Sequence, residues 1–152
     1  MALLRDEDAA KLREIFEERL TGDVTLVHYT QQESRLVVPN ASQCPSCKDA
    51  RTLLEELSAT SDRIELEVHD FAAELDGAQA AGVDKIPATL IKGELTDGRV
   101  RFFGLPSGYE FASLIEDIID VGGGSSDLAA ETVEALSGLQ KDVHIQVFVT
   151  PT

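Results

Sequence analysis

The chain has 152 residues, 43% of them hydrophobic, with 28 acidic against 13 basic side chains and a formal net charge of −15. One compact core fits that length, which is long for a single small domain and short for two complete ones. The acidic balance argues against nucleic acid and anionic membrane as partners, because a phosphate-binding surface needs clustered Lys and Arg.

No apolar run approaches the ~18 to 20 residues that span a bilayer. The opening MALLRDEDAAKLREIF turns charged after four residues and lacks the apolar core of a secretion signal. A cytoplasmic protein is the expectation. Two cysteines are too few for a disulfide-stapled scaffold. In a reducing compartment their close spacing favours a catalytic or metal role over a structural bridge.

Asp6 is placed to cap a first helix with an apolar stripe at Ala9, Leu12, Phe16 and Leu20, ended by Thr21-Gly22. DVTLVHYT, Asp23 to Thr30, is dense in β-formers and reads as a strand. An irregular connection with Pro39 and Asn40 follows, carrying a short edge strand at Leu36 to Val38. A helix from Cys44 to about Ala59 comes next, and then a strand over Arg63 to Asp70. A short helix, Ala72 to Ala81, stops at Gly82. Pro87 to Gly93 and Gly98 to Gly104 read as an antiparallel hairpin turning at Thr96, Asp97 and Gly98. Ser107 and Glu110 form a capping box for a helix that buries Phe111, Leu114, Ile115 and Ile118.

Alternating β-α units that end in a hairpin predict an α/β fold, a mixed sheet with helices on both faces. Residues 1–121 form this domain. Residues 122–152 form an extension: a hinge at Gly122 to Ser126, a helix with Leu128, Thr132, Leu136 and Leu139, and a strand at Val143 to Thr150. DVTLVHYT and DVHIQVFVT both follow a helix, a weak internal repeat.

Both cysteines lie in QCPSCKDA, Gln43 to Ala50. Cysteines three apart at a helix start bring their Cβ atoms to about 5 to 6 Å, and a small adjustment lets them bridge. Pro45 falls at the first helical position, where its missing N–H costs nothing, and it stiffens the turn. Cys47 shares a stripe with Ala50, Leu54 and Leu57 and should face the core. Cys44 should sit exposed at the helix N-terminus, where unpaired N–H groups and the dipole favour a thiolate. With an ordinary pKa of ~8.5 only about 3% of a thiol is ionised at pH 7, so such help matters. This assigns Cys44 as nucleophile and Cys47 as resolving thiol.

Other readings stand beside it. The two cysteines could be structural thiols, or a cluster shared between two chains. A single-chain zinc site lacks ligands, because no second C-x-x-C or His pair exists and His28, His69 and His144 lie apart in predicted strands. No metal and no cofactor is expected.

C-x-x-C opening a helix after the first strand, with KIPATLI at Lys85 to Ile91, resembles the thioredoxin fold. That resemblance implies a thioredoxin-like four-stranded mixed sheet and a cis proline at Pro87 beside the sulfurs. It implies that Pro45, Ser46, Ile86 and Pro87 contact substrate, with the Ile86 backbone pairing an extended segment while Cys44 attacks. VRFFGLPSGYEFASLIEDIIDV, Val100 to Val121, looks like the end of the first unit of the two-unit, glutaredoxin-like protein disulfide oxidoreductases. IQVFVTPT, Ile145 to Thr152, is similar to the opening of their second unit, and the chain stops before a second C-x-x-C. The flavoprotein partner of bacterial alkyl hydroperoxide reductase is a more distant likeness. No tryptophan precedes the motif, and CPSC differs from the CGPC of thioredoxin, so a reduction potential does not carry over.

The expected activity is thiol–disulfide exchange with protein disulfide substrates, driven by a thiol or a flavoprotein reductant. The alternative is an interaction module with weak or no redox activity. In that case the terminal strand adds to this domain's sheet or pairs with a second copy in a homodimer.

Overall fold

The computed structural model describes residues 2–32, 44–93, 96–124, 126 and 128–149. The expected edge strand at Leu36 to Val38 lies outside them. The elements are α1 (Asp6–Arg19), β1 (Val24–Thr30), α2 (Cys47–Ser58), β2 (Ile64–Asp70), α3 (Leu75–Ala80), β3 (Ala88–Gly93), β4 (Thr96–Phe103), α4 (Tyr109–Gly123) and α5 (Ala130–Ser137). The strands form a four-stranded sheet in the order β2-β1-β3-β4. β1 runs parallel to β2 and antiparallel to β3, and β3 and β4 are antiparallel, so the sheet is mixed as expected.

β1 is the central strand, and six of its seven residues are buried because both faces of the sheet are covered there. Val24 and Leu26 point to the face where Leu12 and Phe16 of α1, Leu54 and Leu57 of α2, and Leu114 and Ile118 of α4 pack. Val27 and Tyr29 point the other way, against Ala78 of α3, Val83 and Leu90. Each large side chain buried in this way contributes roughly 1.5–3 kcal/mol.

Several element ends differ from expectation, each for a local reason. α1 is preceded by Arg5 with no side-chain cap, and Asp6 is its first residue. α3 starts at Leu75 because the Asp70 carboxylate accepts the N–H groups of Ala72 (3.0 Å) and Ala73 (2.9 Å), holding those residues in a turn. The capping box at Ser107 does not form. Gly108, at φ 60°, occupies the cap position, which puts Glu110 too close to the helix start to reach back. Gly93 pairs with Thr96, so Thr96, Asp97 and Gly98, expected as the turn, belong to β4.

The expected hinge is partly helix. Gly122 and Gly123 complete α4, and Gly124, at φ 64°, ends it in the left-handed conformation. A Cβ on Gly22 would collide with the Gly122 carbonyl oxygen, so these glycines allow a close backbone approach. The strand expected at Val143 to Thr150 is not formed over the described residues 142–149, which are neither helix nor strand. A strand needs a ladder partner for its N–H and C=O groups, and none of the ladders in the sheet includes this segment. α5 buries no residue. Among the described residues no helix is long and apolar enough to cross a membrane.

Candidate functional site

β1 and β2 are parallel, so their C-terminal ends, Thr30 and Asp70, lie side by side. β3 is antiparallel to β1 and begins at that same end with Ala88 against Tyr29. The residues just past β1 and β2 and just before β3 therefore meet at one edge, and α2 starts over it. This is the carboxyl-end position where open α/β sheets place their sites.

α2 begins at Cys47 rather than at Pro45. The Ala50 N–H donates to the Ser46 carbonyl at 2.9 Å, and Pro45 and Ser46 form a turn ahead of the helix. Cys44 and Cys47 are joined as a disulfide with Sγ–Sγ 2.02 Å and Cα–Cα 5.4 Å. Their environments differ as the helix stripe requires. Cys47 is 3% exposed, in line with Ala50, Leu54 and Leu57, which are all fully buried. Cys44 is half-buried, and its N–H donates to Gln31 Oε1 at 2.8 Å.

The Ile86–Pro87 peptide bond is cis, as the resemblance implies, and the Pro87 carbonyl accepts the Gly104 N–H at 2.8 Å. Cys44, Pro45 and Ile86 share a cleft of about 380 Å³ with Phe71, Ala72 and Lys85. Pro87 is buried behind Ile86, and Ser46 is half-buried in the turn. The structure thus brings Cys44, Pro45 and Ile86 to one opening and sets Cys47 and Pro87 behind it. The Lys85 ammonium lies 2.9 Å from the Asp84 carboxylate and 4.8 Å from the centre of the Phe103 ring.

Gln31, Phe71 and Ala72 were not identified from sequence. Each lies within two residues of the end of β1 or β2, so the end of a predicted parallel strand was the signal available. His28 is fully buried, its Nδ1 3.0 Å from Thr89 Oγ1. Burial, and then the nearby Arg51 cation, lower its pKa from 6.5 to about 4, so it stays neutral inside the protein. His69 stacks on Tyr29 with centroids 5.2 Å apart, and its Nδ1 lies 2.7 Å from Glu74 Oε2. His144 lies outside any strand. No group of three or more His, Cys, Asp or Glu that could hold a metal occurs among the described residues.

A mixed β2-β1-β3-β4 sheet covered on both faces, with a C-x-x-C pair at the start of α2 and a cis Ile86–Pro87 bond leading into β3, defines a thioredoxin-like protein. Residues 36–116 match the thioredoxin domain family, and the chain belongs to it. It is 33% identical over 125 residues to the F subunit of alkyl hydroperoxide reductase of Xanthomonas campestris pv. phaseoli, covering 81% of this chain and 22% of that protein. To the corresponding reductase protein of Pseudomonas putida it is 29% identical over 112 residues, covering 74% of this chain and 19% of that one. The chain therefore spans about a fifth of the length of these curated relatives.

Among solved structures it is similar to a protein disulfide oxidoreductase of Aeropyrum pernix, with TM-score 0.74 and 23% identity over 89% of this chain and 55% of that one. It is also similar to the NTD_N/C domain of the Enterococcus faecalis alkylhydroperoxide reductase AhpF, with TM-score 0.71 and 23% identity over 91% of this chain and 62% of that one. At such identities the likeness is one of fold. Both likenesses read from the sequence are among these proteins.

Proposed function

We propose that the chain is a thiol–disulfide oxidoreductase that exchanges disulfides with protein substrates through Cys44 and Cys47. The observation that carries this reading is the asymmetry of the pair: Cys44 opens to the Ile86 cleft, and Cys47 is buried behind it. In the reduced protein the Cys44 thiolate attacks a substrate disulfide, forming a mixed disulfide and releasing one substrate sulfur. The Cys47 thiolate then attacks Cys44 Sγ. The Cys44–Cys47 bond forms, the Cys44–substrate bond breaks, and the substrate leaves with both sulfurs reduced. A thiol or a flavoprotein returns two electrons to the pair.

Cys44 precedes the N-terminus of a 12-residue helix, whose unpaired N–H groups favour negative charge on its sulfur. The cleft walls are mostly apolar, which suits an extended polypeptide lying over Pro45 and Ile86, with Ser46 and Pro87 next to them in the chain. The likeness to the alkyl hydroperoxide reductase proteins supports a place in a reductase system with protein partners in the cytoplasm. Insulin reduction with dithiothreitol tests the reading. The protein should accelerate insulin precipitation and its Cys44→Ser variant should not; equal rates for the two would remove the activity.

A second reading has its own observation. Val143, Ile145, Val147, Phe148 and Val149 are 62–89% exposed in one segment, beyond what isolated surface residues explain. In this reading the segment pairs with a second copy of the chain, and the domain, residues 1–121, serves as a docking module with the extension, residues 122–152, as its contact. Light scattering before and after deletion of residues 126–152 decides it: an unchanged mass removes the homodimer.

A further inference from the structure

Cys44 lies ahead of the helical hydrogen bonds of α2, which begin with the Ala50 N–H and the Ser46 carbonyl, so none of them holds it. Its N–H donates instead to the side chain of Gln31, 13 positions earlier, at 2.8 Å. That bond ties the chain just past β1 to the start of the C-x-x-C segment. Gln31 borders the Ile86 cleft and also a cavity of about 440 Å³ lined by Cys47, so it faces the opening of each cysteine.

Gln31 is braced in turn. The next residue, Gln32, donates its N–H to Asp70 Oδ2 at 3.2 Å. The other carboxylate oxygen, Oδ1, accepts the N–H groups of Ala72 at 3.0 Å and Ala73 at 2.9 Å. Beside them the Phe71 N–H donates to the Thr30 carbonyl at 2.9 Å. One carboxylate thus fastens the chain leaving β1 to the chain leaving β2, and these two segments supply Gln31, Phe71 and Ala72 to the cleft. A carboxylate is a stronger acceptor than a neutral oxygen, which suits such a brace.

We propose that Gln31, braced by Asp70, is a positioning residue that sets the redox equilibrium of the cysteine pair by holding Cys44 within reach of Cys47. The proposal rests on the oxidoreductase reading above. In the oxidised protein the Sγ–Sγ bond itself fixes Cys44. In the dithiol that bond is gone, and the Gln31 side chain still ties the Cys44 main chain to the end of β1. A cysteine so held has less freedom to lose when the bridge forms, so the clamp favours the disulfide. Without the clamp the dithiol gains conformations that the disulfide, fixed by its own bond, does not. The pair then becomes easier to reduce.

The test is equilibration of the full chain with reduced and oxidised glutathione. The protein disulfide and two glutathione thiols give the protein dithiol and one glutathione disulfide, and alkylation with mass spectrometry counts the free thiols. Gln31→Met keeps the length of the side chain and removes the acceptor. Asp70→Asn keeps one oxygen for Ala72 and Ala73 and sets an NH2 group against the Gln32 N–H. Each should raise the equilibrium constant toward the dithiol about fivefold, the scale of one hydrogen bond, which is a potential about 20 mV less negative. In the double variant the shift should stay near about fivefold rather than reach the product of the two, because both substitutions act through the same hold on Cys44.

A Gln31→Met protein with the wild-type constant overturns the clamp and leaves the oxidoreductase reading standing. A wild-type constant in Asp70→Asn, or a double variant that shifts by the product of the single effects, removes the brace. A wild-type pair that neither equilibrates with glutathione nor reduces insulin overturns both the clamp and the oxidoreductase reading. If a variant does not fold, hydrogen exchange of the wild-type Cys44 amide in the dithiol decides the matter. Protection of about tenfold or more over a free peptide supports the clamp, and less removes it.

Discussion

Across the β1–β3 ladder the His28 imidazole and the Thr89 hydroxyl meet at 3.0 Å, Nδ1 to Oγ1, both fully or almost fully buried. The pKa of His28 lies at about 4 against an ordinary 6.5, lowered by burial first and by Arg51 second. Above pH 6.5 the imidazole is neutral both folded and unfolded. Between 6.5 and about 4 the unfolded chain takes up a proton that the native state refuses, so stability falls with pH. At ~1.4 kcal/mol per pH unit the loss is on the order of 3 kcal/mol. Urea unfolding at pH 7 and pH 4.5 should show this decline, and His28→Gln should flatten it.

Gly122 and Gly77 should respond to alanine in opposite directions. A Cβ at Gly122 would strike Leu20 Cδ1 and lie 3.0 Å from the Gly22 carbonyl oxygen and from Val24 Cγ2. Gly122→Ala should destabilise by about 1–3 kcal/mol through overpacking. Gly77 lies within α3 with nothing within 4 Å of an added Cβ, so Gly77→Ala should stabilise by about 0.5–1 kcal/mol. Denaturant midpoints at constant m-value measure both.

The cleft beside Cys44 should discriminate substrates by size. Ala72 is exposed on its rim, and Ala72→Trp would occupy much of the opening. The variant should lose about tenfold in kcat/KM with insulin, and less with a small aromatic disulfide. Equal losses on the two substrates would detach the cleft from polypeptide binding.

The C-terminal extension should contribute little to the stability of the domain. α5 buries no residue, and residues 142–149 join no ladder of the sheet. Deleting residues 126–152 should change the unfolding free energy by no more than about 0.5 kcal/mol, the usual range for surface changes. A larger loss in urea unfolding would mean that the segment packs on the core.

Features set by neighbours along the chain were legible in the sequence. The β-former run of β1, the stripe that buries Cys47, Leu54 and Leu57, and the β-α order with its closing hairpin depend on period and local propensity. Element ends were less legible where a side chain competes for backbone groups, as Asp70 does ahead of α3. The glycine run at Gly122 to Gly124 read as a hinge because composition cannot report a close approach to Gly22, 100 positions away.

The cysteine pair and the burial of Cys47 were in the sequence by itself, since Cys47 shares the helix stripe of Ala50, Leu54 and Leu57; Cys44, expected to be exposed, is half-buried in the turn ahead of α2. The tertiary structure alone decided what stands around each sulfur. Gln31, Phe71 and Ile86 reach Cys44, and Gln31 also borders the cavity beside Cys47, because parallel β1 and β2 end where antiparallel β3 begins. That meeting depends on strand order and direction, which arise from packing between distant segments and leave no trace in local spacing.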